Sequence, residues 1–150
     1  MPRPQPGLAF YIVCDRGFAV GIVTHDFGKF GTLIWMAEPM FEEEPTVDDV
    51  LAIKEWRWPI CFPVSGYLYR KVIIRIGIVP MPRKLKKVPI MRNEMGRHNW
   101  NLFKYIGTDG DYKWKNIGVA KDPTVPIDVI VNDISLKEKL VSDWRPEHWW

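Results

Sequence analysis

The hydrophobic pattern near the start of the chain predicts a β-hairpin. Apolar side chains fill residues 8–14 and resume at residues 18–23, and both runs have the length of a strand, in which alternate side chains point to opposite faces. The intervening Asp15-Arg16-Gly17 is typical of a three-residue loop, since Asp favours the first position of a type I turn and Gly supplies the left-handed residue that closes it.

The register of this hairpin decides whether its cysteine and histidine can form an active site. Pairing Cys14 with Phe18 sets Tyr11 over Gly21 and leaves His25 at the far end of the second strand. At ~3.3 Å per residue, Cys14 and His25 are then roughly 23 Å apart, against the ~3 Å that a nucleophile and its base require. We therefore interpret Cys14 as a small buried hydrophobe. The same register predicts a core face made of Leu8, Phe10, Ile12, Cys14, Phe18, Val20 and Ile22.

Two helices are predicted from their capping residues. Thr46 is a good N-cap with Asp49 at its third position, which predicts a short helix over 47–54. Ser135 and Glu138 have the spacing of a capping box and predict a C-terminal helix that Pro146 ends. Further strands are predicted at 32–37, 59–63, 69–79, 101–106 and 112–119.

The remaining segments complete a mostly β (α+β) architecture. Residues 80–99 contain three prolines and many bases and are expected to be irregular, and residues 107–111 form a turn. No internal repeat or domain boundary is evident, so residues 1–150 are predicted to form a single domain. The expected fold is a bent antiparallel sheet or partly open barrel with one short helix and a C-terminal helix.

Composition places the chain among cytoplasmic globular proteins. Apolar residues make up 47% and charged residues 26%, while 13 prolines and 11 glycines argue against a helix bundle. Two cysteines without a Cys-x-x-Cys motif indicate reduced thiols. The N-terminal segment lacks the apolar stretch of a signal peptide, and no run reaches the ~18 apolar residues of a membrane span, so no membrane partner is expected.

Catalytic and metal-binding chemistry finds little support in the spacing of reactive residues. His25, His98 and His148 are isolated from one another and from cysteine, whereas zinc sites in small domains cluster their ligands. The glycines at 107–111 open no helix, so no phosphate-binding loop is predicted. The spacing leaves one possible site, in which the fold brings Cys61 and His98 together. We expect no metal, no cofactor and no enzymatic activity.

The charges are segregated along the chain. Residues 38–55 hold seven acids against one lysine, and such a run is usually a solvated face. An acidic face can also steer a basic partner, and the neighbouring Trp56-Arg57-Trp58 has the residue types of interface hot spots. Two tryptophans two apart in a strand share a face, and core packing is the favoured interpretation for them. The candidate partner-binding residues are Glu42, Glu43, Glu44, Asp48, Asp49, Trp56, Arg57 and Trp58.

A basic stretch suggests an alternative function, that of a small β-barrel module that binds nucleic acid. Residues 70–97 hold nine bases against one acid. A basic loop can contact phosphates, although sequence-tolerant nucleic-acid binding also needs exposed aromatic rings nearby. The candidate nucleic-acid patch within 83–97 consists of Arg83, Lys84, Lys86, Lys87, Arg92 and Arg97.

Three stretches resemble the immunity protein 26 family of bacterial polymorphic toxin systems. They are GLAFYIV followed by GFAVGIV over 7–23, LIWMAEPMFEEEP over 33–45, and IGIVPMPRKLKKVPIMR over 76–92. The resemblance implies a mostly β cytoplasmic protein that protects its host by binding a cognate toxin. We expect it to act by occluding the toxin, as a monomer or a homodimer. It carries over no catalytic residue. The tryptophans at 149 and 150 are expected to fold back onto the body or to form a dimer contact.

Overall fold

The computed structural model describes residues 3–108 and 112–149, and within those ranges the fold is mostly β, which confirms the predicted class. The described residues include three short helices, with additional 3-10 turns at Gly28–Phe30, Arg83–Leu85 and Pro146–Trp149. The described strands are β1 (Leu8–Cys14), β2 (Gly17–Asp26), β3 (Thr32–Phe41), β4 (Trp56–Phe62), β5 (Ile73–Ile78), β6 (Met91–Glu94), β7 (Trp100–Tyr105) and β8 (Trp114–Val119). The helices are α1 (Val47–Leu51), α2 (Val64–Tyr69) and α3 (Asp133–Val141).

The strands form two antiparallel sheets. The larger sheet has the order β4-β3-β2-β1-β5 and the smaller one the order β6-β7-β8, and the described strands do not close into a barrel. The segment after β8 links them, because isolated parallel bridges join Ile130 to Cys61 of β4 and Ile127 to Arg92 of β6.

Both faces of the larger sheet are covered. On one face α2 and α3 bury Val64, Tyr67 and Leu136 against the centres of β1 to β4. On the other face Val50 of α1 and Leu85 of the 3-10 turn cover Ala9, Tyr11, Val20 and Ile22. A third cluster lies where the sheets meet, with the Phe27 ring 5.1 to 5.9 Å from the rings of Tyr105, Tyr112 and Trp114.

The predicted hairpin exists, but its register was wrong by one residue. Cys14 pairs with Gly17, so the loop has two residues, and Gly17 is both the left-handed residue (φ 132°) and the first paired residue of β2. A Cβ at Gly21 would therefore meet the Phe10 ring at 2.4 Å, and Tyr11 pairs with Val20 instead. A one-residue shift moves every side chain of a strand to the other face. The residues of β2 that consequently lie opposite the predicted face are Phe18, Val20 and Ile22.

Two elements were absent from the prediction. The stretch predicted as one strand over 69–79 begins as the end of α2, turns at Lys71 with a left-handed φ of 57°, and continues as β5. The segment expected to be irregular contains β6, which pairs with β7 and whose Met91 and Arg92 are buried. A strand of four residues shows too little alternation to be recognised from the local pattern.

Of the two helix caps predicted from the sequence, one is confirmed and one is wrong. At α1 the Thr46 hydroxyl accepts the N–H of Asp49 and the Asp49 carboxylate accepts the N–H of Thr46, a complete capping box. At α3 the cap is Asn132, which accepts the Ser135 N–H at 2.8 Å, so the helix begins before the predicted capping box. The expected turn at 107–111 lies partly outside the described residues. The expected packing of the tryptophans at 149 and 150 concerns side chains that lie outside the described ones.

Candidate functional site

The predicted acidic residues lie on α1 and on the connection that leads to it from β3. Glu42, Glu43, Glu44 and Asp48 are exposed, while Asp49 is half-buried and occupied as the capping partner of Thr46. The Tyr11 hydroxyl donates to Glu44 Oε1 at 2.7 Å and fixes this carboxylate against the sheet. We call the group of Glu42, Glu43, Glu44, Asp48 and Asp49 the acidic surface.

A shallow groove of about 440 Å³ adjoins the acidic surface. Phe41 and Ile53 contribute half-buried apolar side chains to it, and Glu55 lies at its edge. On the neighbouring α1, Val47 and Leu51 are exposed by 40% and 55%. An apolar centre with a charged rim is the usual organisation of a protein–protein contact.

The two tryptophans beside the acidic surface are core residues. Trp58 is 2% exposed and its Nε1–H donates to the Trp144 carbonyl at 3.1 Å, while Trp56 is 8% exposed. The favoured interpretation of core packing is confirmed, and neither ring is a surface anchor. The expectation that both share one face was wrong, because a bulge in β4 opposite Met36 sends Trp56 to the α1 side of the sheet and Trp58 to the α3 side.

The Arg57 side chain makes its polar contacts within the fold. Its guanidinium donates to the Glu38 carbonyl at 2.8 Å and lies 3.9 Å from the carboxylates of Glu38 and Asp143. Arg145 binds Glu38 with both terminal nitrogens, and this pairing holds the pKa of the Glu38 carboxyl below its usual range. The network ties the C-terminal segment to β3, so Arg57 acts as a structural residue.

The basic stretch is divided by the fold. Arg92 is fully buried, and its guanidinium donates to the carbonyls of Pro123, Val125 and Pro146 and lies 4.1 Å from the Trp100 ring. Burial lowers the pKa of this guanidinium. Arg92 therefore cannot contact nucleic acid, and its inclusion in the predicted patch was wrong. Arg83 and Arg97 are exposed at separate places, the 3-10 turn and the β6–β7 connection.

The three lysines of the predicted patch, Lys84, Lys86 and Lys87, line a large concavity, which we call the basic cleft. It has a volume of about 1140 Å³ and lies between β2 and β3, the segment 84–90, and β7 and β8. The His25 ring donates from Nε2 to the Lys86 carbonyl at 3.0 Å, and Lys84 Nζ donates to the Lys54 carbonyl at 2.9 Å. The residues that line the cleft include His25, Trp35, Lys84, Lys86, Lys87, Ile90, Lys104, Tyr105 and Ile117.

Sequence reasoning missed the full extent of this cleft. Trp35 comes from β3, and Lys104 and Tyr105 come from β7, both outside the basic stretch, and no local motif links them. The available signal was the conspicuous basic stretch, which marked one wall only.

A buried polar cluster surrounds the second cysteine. The Tyr112 hydroxyl donates to Asp128 Oδ2 at 2.5 Å, and Cys61 Sγ lies 4.0 Å from Asp128 Oδ1. Burial raises the pKa of the Asp128 carboxyl and raises the pKa of the Cys61 thiol far above its usual range. A thiol that stays protonated is a poor nucleophile. His98 lies in the exposed β6–β7 connection, whereas Cys61 is fully buried among Phe27, Leu33 and Met91.

Neither a metal-ligand cluster nor a membrane-spanning helix is found among the described residues. Among the described residues, no group of three or more His, Cys, Asp or Glu side chains is arranged to hold a metal ion. None of the described helices has the length and apolar character needed to cross a membrane.

Comparison with known proteins adds no relative. No family model, no curated protein and no solved structure matches this chain. The resemblance to the immunity protein 26 family therefore stays a prediction.

Proposed function

We propose that this chain is a non-enzymatic immunity protein that binds and occludes a cognate toxin in the cytoplasm. The observation that carries the proposal is the acidic surface beside an apolar groove, at the end of β3 and on the capped helix α1. The resemblance of three sequence stretches to the immunity protein 26 family supports the same function.

The charges of the acidic surface are available to a partner. Among the described residues no Lys or Arg lies within ion-pair distance of Glu42, Glu43, Glu44 or Asp48. Unneutralised acids steer a basic protein toward the surface and raise its association rate, most strongly at low salt. The proposed steering residues are therefore Glu42, Glu43, Glu44 and Asp48, and they exclude the capping Asp49 and the segment Trp56-Arg57-Trp58.

The apolar part of the surface supplies the anchoring that the buried tryptophans cannot. Val47 and Leu51 are exposed on α1, and Asp49 of the same helix lines the groove together with Phe41 and Ile53. Burying exposed apolar side chains under a partner favours binding by about 25 cal/mol per Å² of apolar surface removed from water. The partner is thus expected to present an apolar side chain surrounded by Lys or Arg.

Charge reversal tests the steering part of the proposal. Replacing Glu42, Glu43 and Glu44 with Lys should slow association with the toxin about tenfold at low salt and flatten its salt dependence. A matched control carries the same charge change at the exposed Asp15, Glu138 and Glu147, and should associate as the unmodified protein does. Stopped-flow association measured at several salt concentrations gives both numbers. Equal slowing in the two variants would exclude the acidic surface as the contact.

The anchoring part is tested by apolar truncation. Leu51→Ala should raise the dissociation rate, whereas Val13→Ala, at a residue with nearly the same exposure (53% against 55%), should not. Dissociation followed by surface plasmon resonance separates the two variants. If Leu51→Ala dissociates as slowly as Val13→Ala, the contact does not include α1.

Nucleic-acid binding is the alternative, favoured by the convergence of Lys84, Lys86 and Lys87 on one cleft. It predicts micromolar binding to single strands at ~50 mM salt that falls steeply as salt rises. Absence of binding under those conditions would remove it.

A further inference from the structure

We propose that the basic cleft binds a small ligand that joins several phosphate charges to a planar ring, as a nucleoside triphosphate does. The proposed site is independent of the acidic surface and of toxin binding. It uses residues from β2, β3, β7, β8 and the segment 84–90.

The charge of the cleft favours a multivalent anion. Lys84, Lys86, Lys87 and Lys104 line it together, and none of the described residues that line it is acidic. Like charges in one concavity repel each other and focus a positive potential into it. An anion with three or four charges relieves that repulsion and accepts charge-assisted hydrogen bonds from the ammonium groups.

The side chains in the cleft walls favour a ligand in which a planar, weakly polar group is joined to the negative charges. Trp35 and Tyr105 contribute aromatic rings, and Ile90 and Ile117 contribute aliphatic side chains. The Tyr105 ring is held in place by an edge contact with Trp114 at 5.3 Å. Flat rings fixed by their neighbours offer stacking surface at little cost in conformational entropy.

The loop that carries the lysines is anchored to the sheet. The hydrogen bond from His25 Nε2 to the Lys86 carbonyl joins this loop to β2, and the contact of Lys84 Nζ with the Lys54 carbonyl joins it to the segment after α1. The basic wall is therefore largely preorganised, which is the usual state of a small-molecule site.

Size and shape separate a nucleotide from other anions. The volume of about 1140 Å³ far exceeds the space an inorganic phosphate occupies, and it slightly exceeds the upper end of ordinary ligand pockets. Trp35 and Tyr105 are half-buried in the walls, whereas proteins that bind single strands display exposed rings along an open groove. The structure thus favours a bounded ligand over a continuous strand.

Calorimetric titration of the full chain tests the proposal with four probes: ATP, inorganic triphosphate, adenosine, and a dT12 oligonucleotide. ATP should bind at least tenfold more tightly than triphosphate or adenosine, because only ATP engages both the lysines and the rings. The double variant Lys87→Gln/Lys104→Gln should weaken ATP binding at least tenfold. A control with the same charge change at the exposed Lys71 and Lys121, away from the cleft, should bind ATP within about twofold of the unmodified protein.

Four results would overturn the proposal. They are failure of ATP to bind the unmodified chain, equal binding of ATP and triphosphate, equal loss in the cleft variant and the control, and binding of dT12 more than tenfold tighter than ATP. The last result would assign the cleft to single-stranded nucleic acid. Because both double variants change only exposed or cleft-lining lysines, matching urea unfolding midpoints will show that a loss of binding is not a loss of fold.

Discussion

A single methyl group at Gly21 tests the hairpin register on which the packing of the larger sheet depends. A Cβ there would lie 2.4 Å from Phe10 Cζ, and ordinary contacts begin at 3.4 Å, so the ring must move by about 1.0 Å. Phe10 is fully buried and stacks with Phe62, which leaves it little room to move. Overpacking of this kind costs about 1–3 kcal/mol. We expect Gly21→Ala to lower the free energy of unfolding by about 2 kcal/mol.

Gly66→Ala is the matched control. Gly66 lies within α2, and a Cβ there would meet nothing within 4 Å. The same chemical change should therefore stabilise the protein by about 0.5–1 kcal/mol, because alanine loses less conformational entropy in a helix than glycine. Urea unfolding at equilibrium measures both variants, which should differ by about 3 kcal/mol and in opposite directions from the unmodified chain.

Double-mutant cycles identify the ring that covers Gly21. In the observed register, combining Gly21→Ala with Phe10→Leu should recover about 1 kcal/mol or more relative to additivity, because the smaller side chain relieves the clash. Combining it with Tyr11→Leu should be additive within about 0.5 kcal/mol. Coupling to Tyr11 and none to Phe10 would mean that the register first predicted from the sequence is the true one, and the packing described above would be refuted.

Three further substitutions probe the interior. Arg92→Leu leaves buried carbonyls without a donor and should cost about 3 kcal/mol or more of unfolding free energy in urea titrations; a loss below about 1 kcal/mol would contradict its structural role. Burial raises the pKa of the Asp128 carboxyl in the folded protein above its value in the unfolded chain. The stability that the protonated carboxyl contributes is therefore fully present below the unfolded pKa and is lost as pH rises through the folded pKa. Asp128→Asn, which can still accept the Tyr112 hydroxyl, should flatten stability against pH in that window, and an unchanged profile would argue against burial of the charge. Trp58→Phe removes the hydrogen bond to the Trp144 carbonyl and should cost about 1–3 kcal/mol in thermal unfolding, whereas no change would show that this bond does not hold the C-terminal segment.

Features set by neighbouring residues were predictable from the sequence. The capping box of Thr46 and Asp49 predicted the start of α1, and the alternation along residues 8–14 predicted β1 and its core face. The acidic residues were also predicted to be solvated, since a run of like charges cannot be buried without partners.

Features set by pairing between distant segments were not predictable. The two-residue loop at Gly17 depends on its contact with Phe41 of β3, whose carbonyl oxygen a Cβ at Gly17 would meet at 2.3 Å. The opposite placement of Trp56 and Trp58 depends on a bulge that arises only when β4 pairs with β3. Arg92 looks like a surface base until the carbonyls that surround it are brought in from residues 123–146.

The candidate sites also combine parts that neighbouring residues set, which the sequence revealed, with parts that distant segments set, which it did not. Continuous stretches of like charge revealed the acidic surface and one wall of the basic cleft, because both are runs in the sequence. The opposite wall of the cleft, with Lys104 and Tyr105, is contributed by the smaller sheet. Its position depends on the aromatic contacts of Phe27 with Tyr105 and Trp114, which no local motif encodes.

The most direct test of the central claim is co-expression with the product of the adjacent upstream gene in the source genome, with cell survival and co-purification scored together. Cells should die when the neighbour is expressed alone, survive when this chain is present, and yield a complex that elutes as one species. The variant with Lys at 42, 43 and 44 should protect less well than the control with Lys at 15, 138 and 147. A harmless neighbour that does not co-elute, or full protection by both variants, would contradict the account.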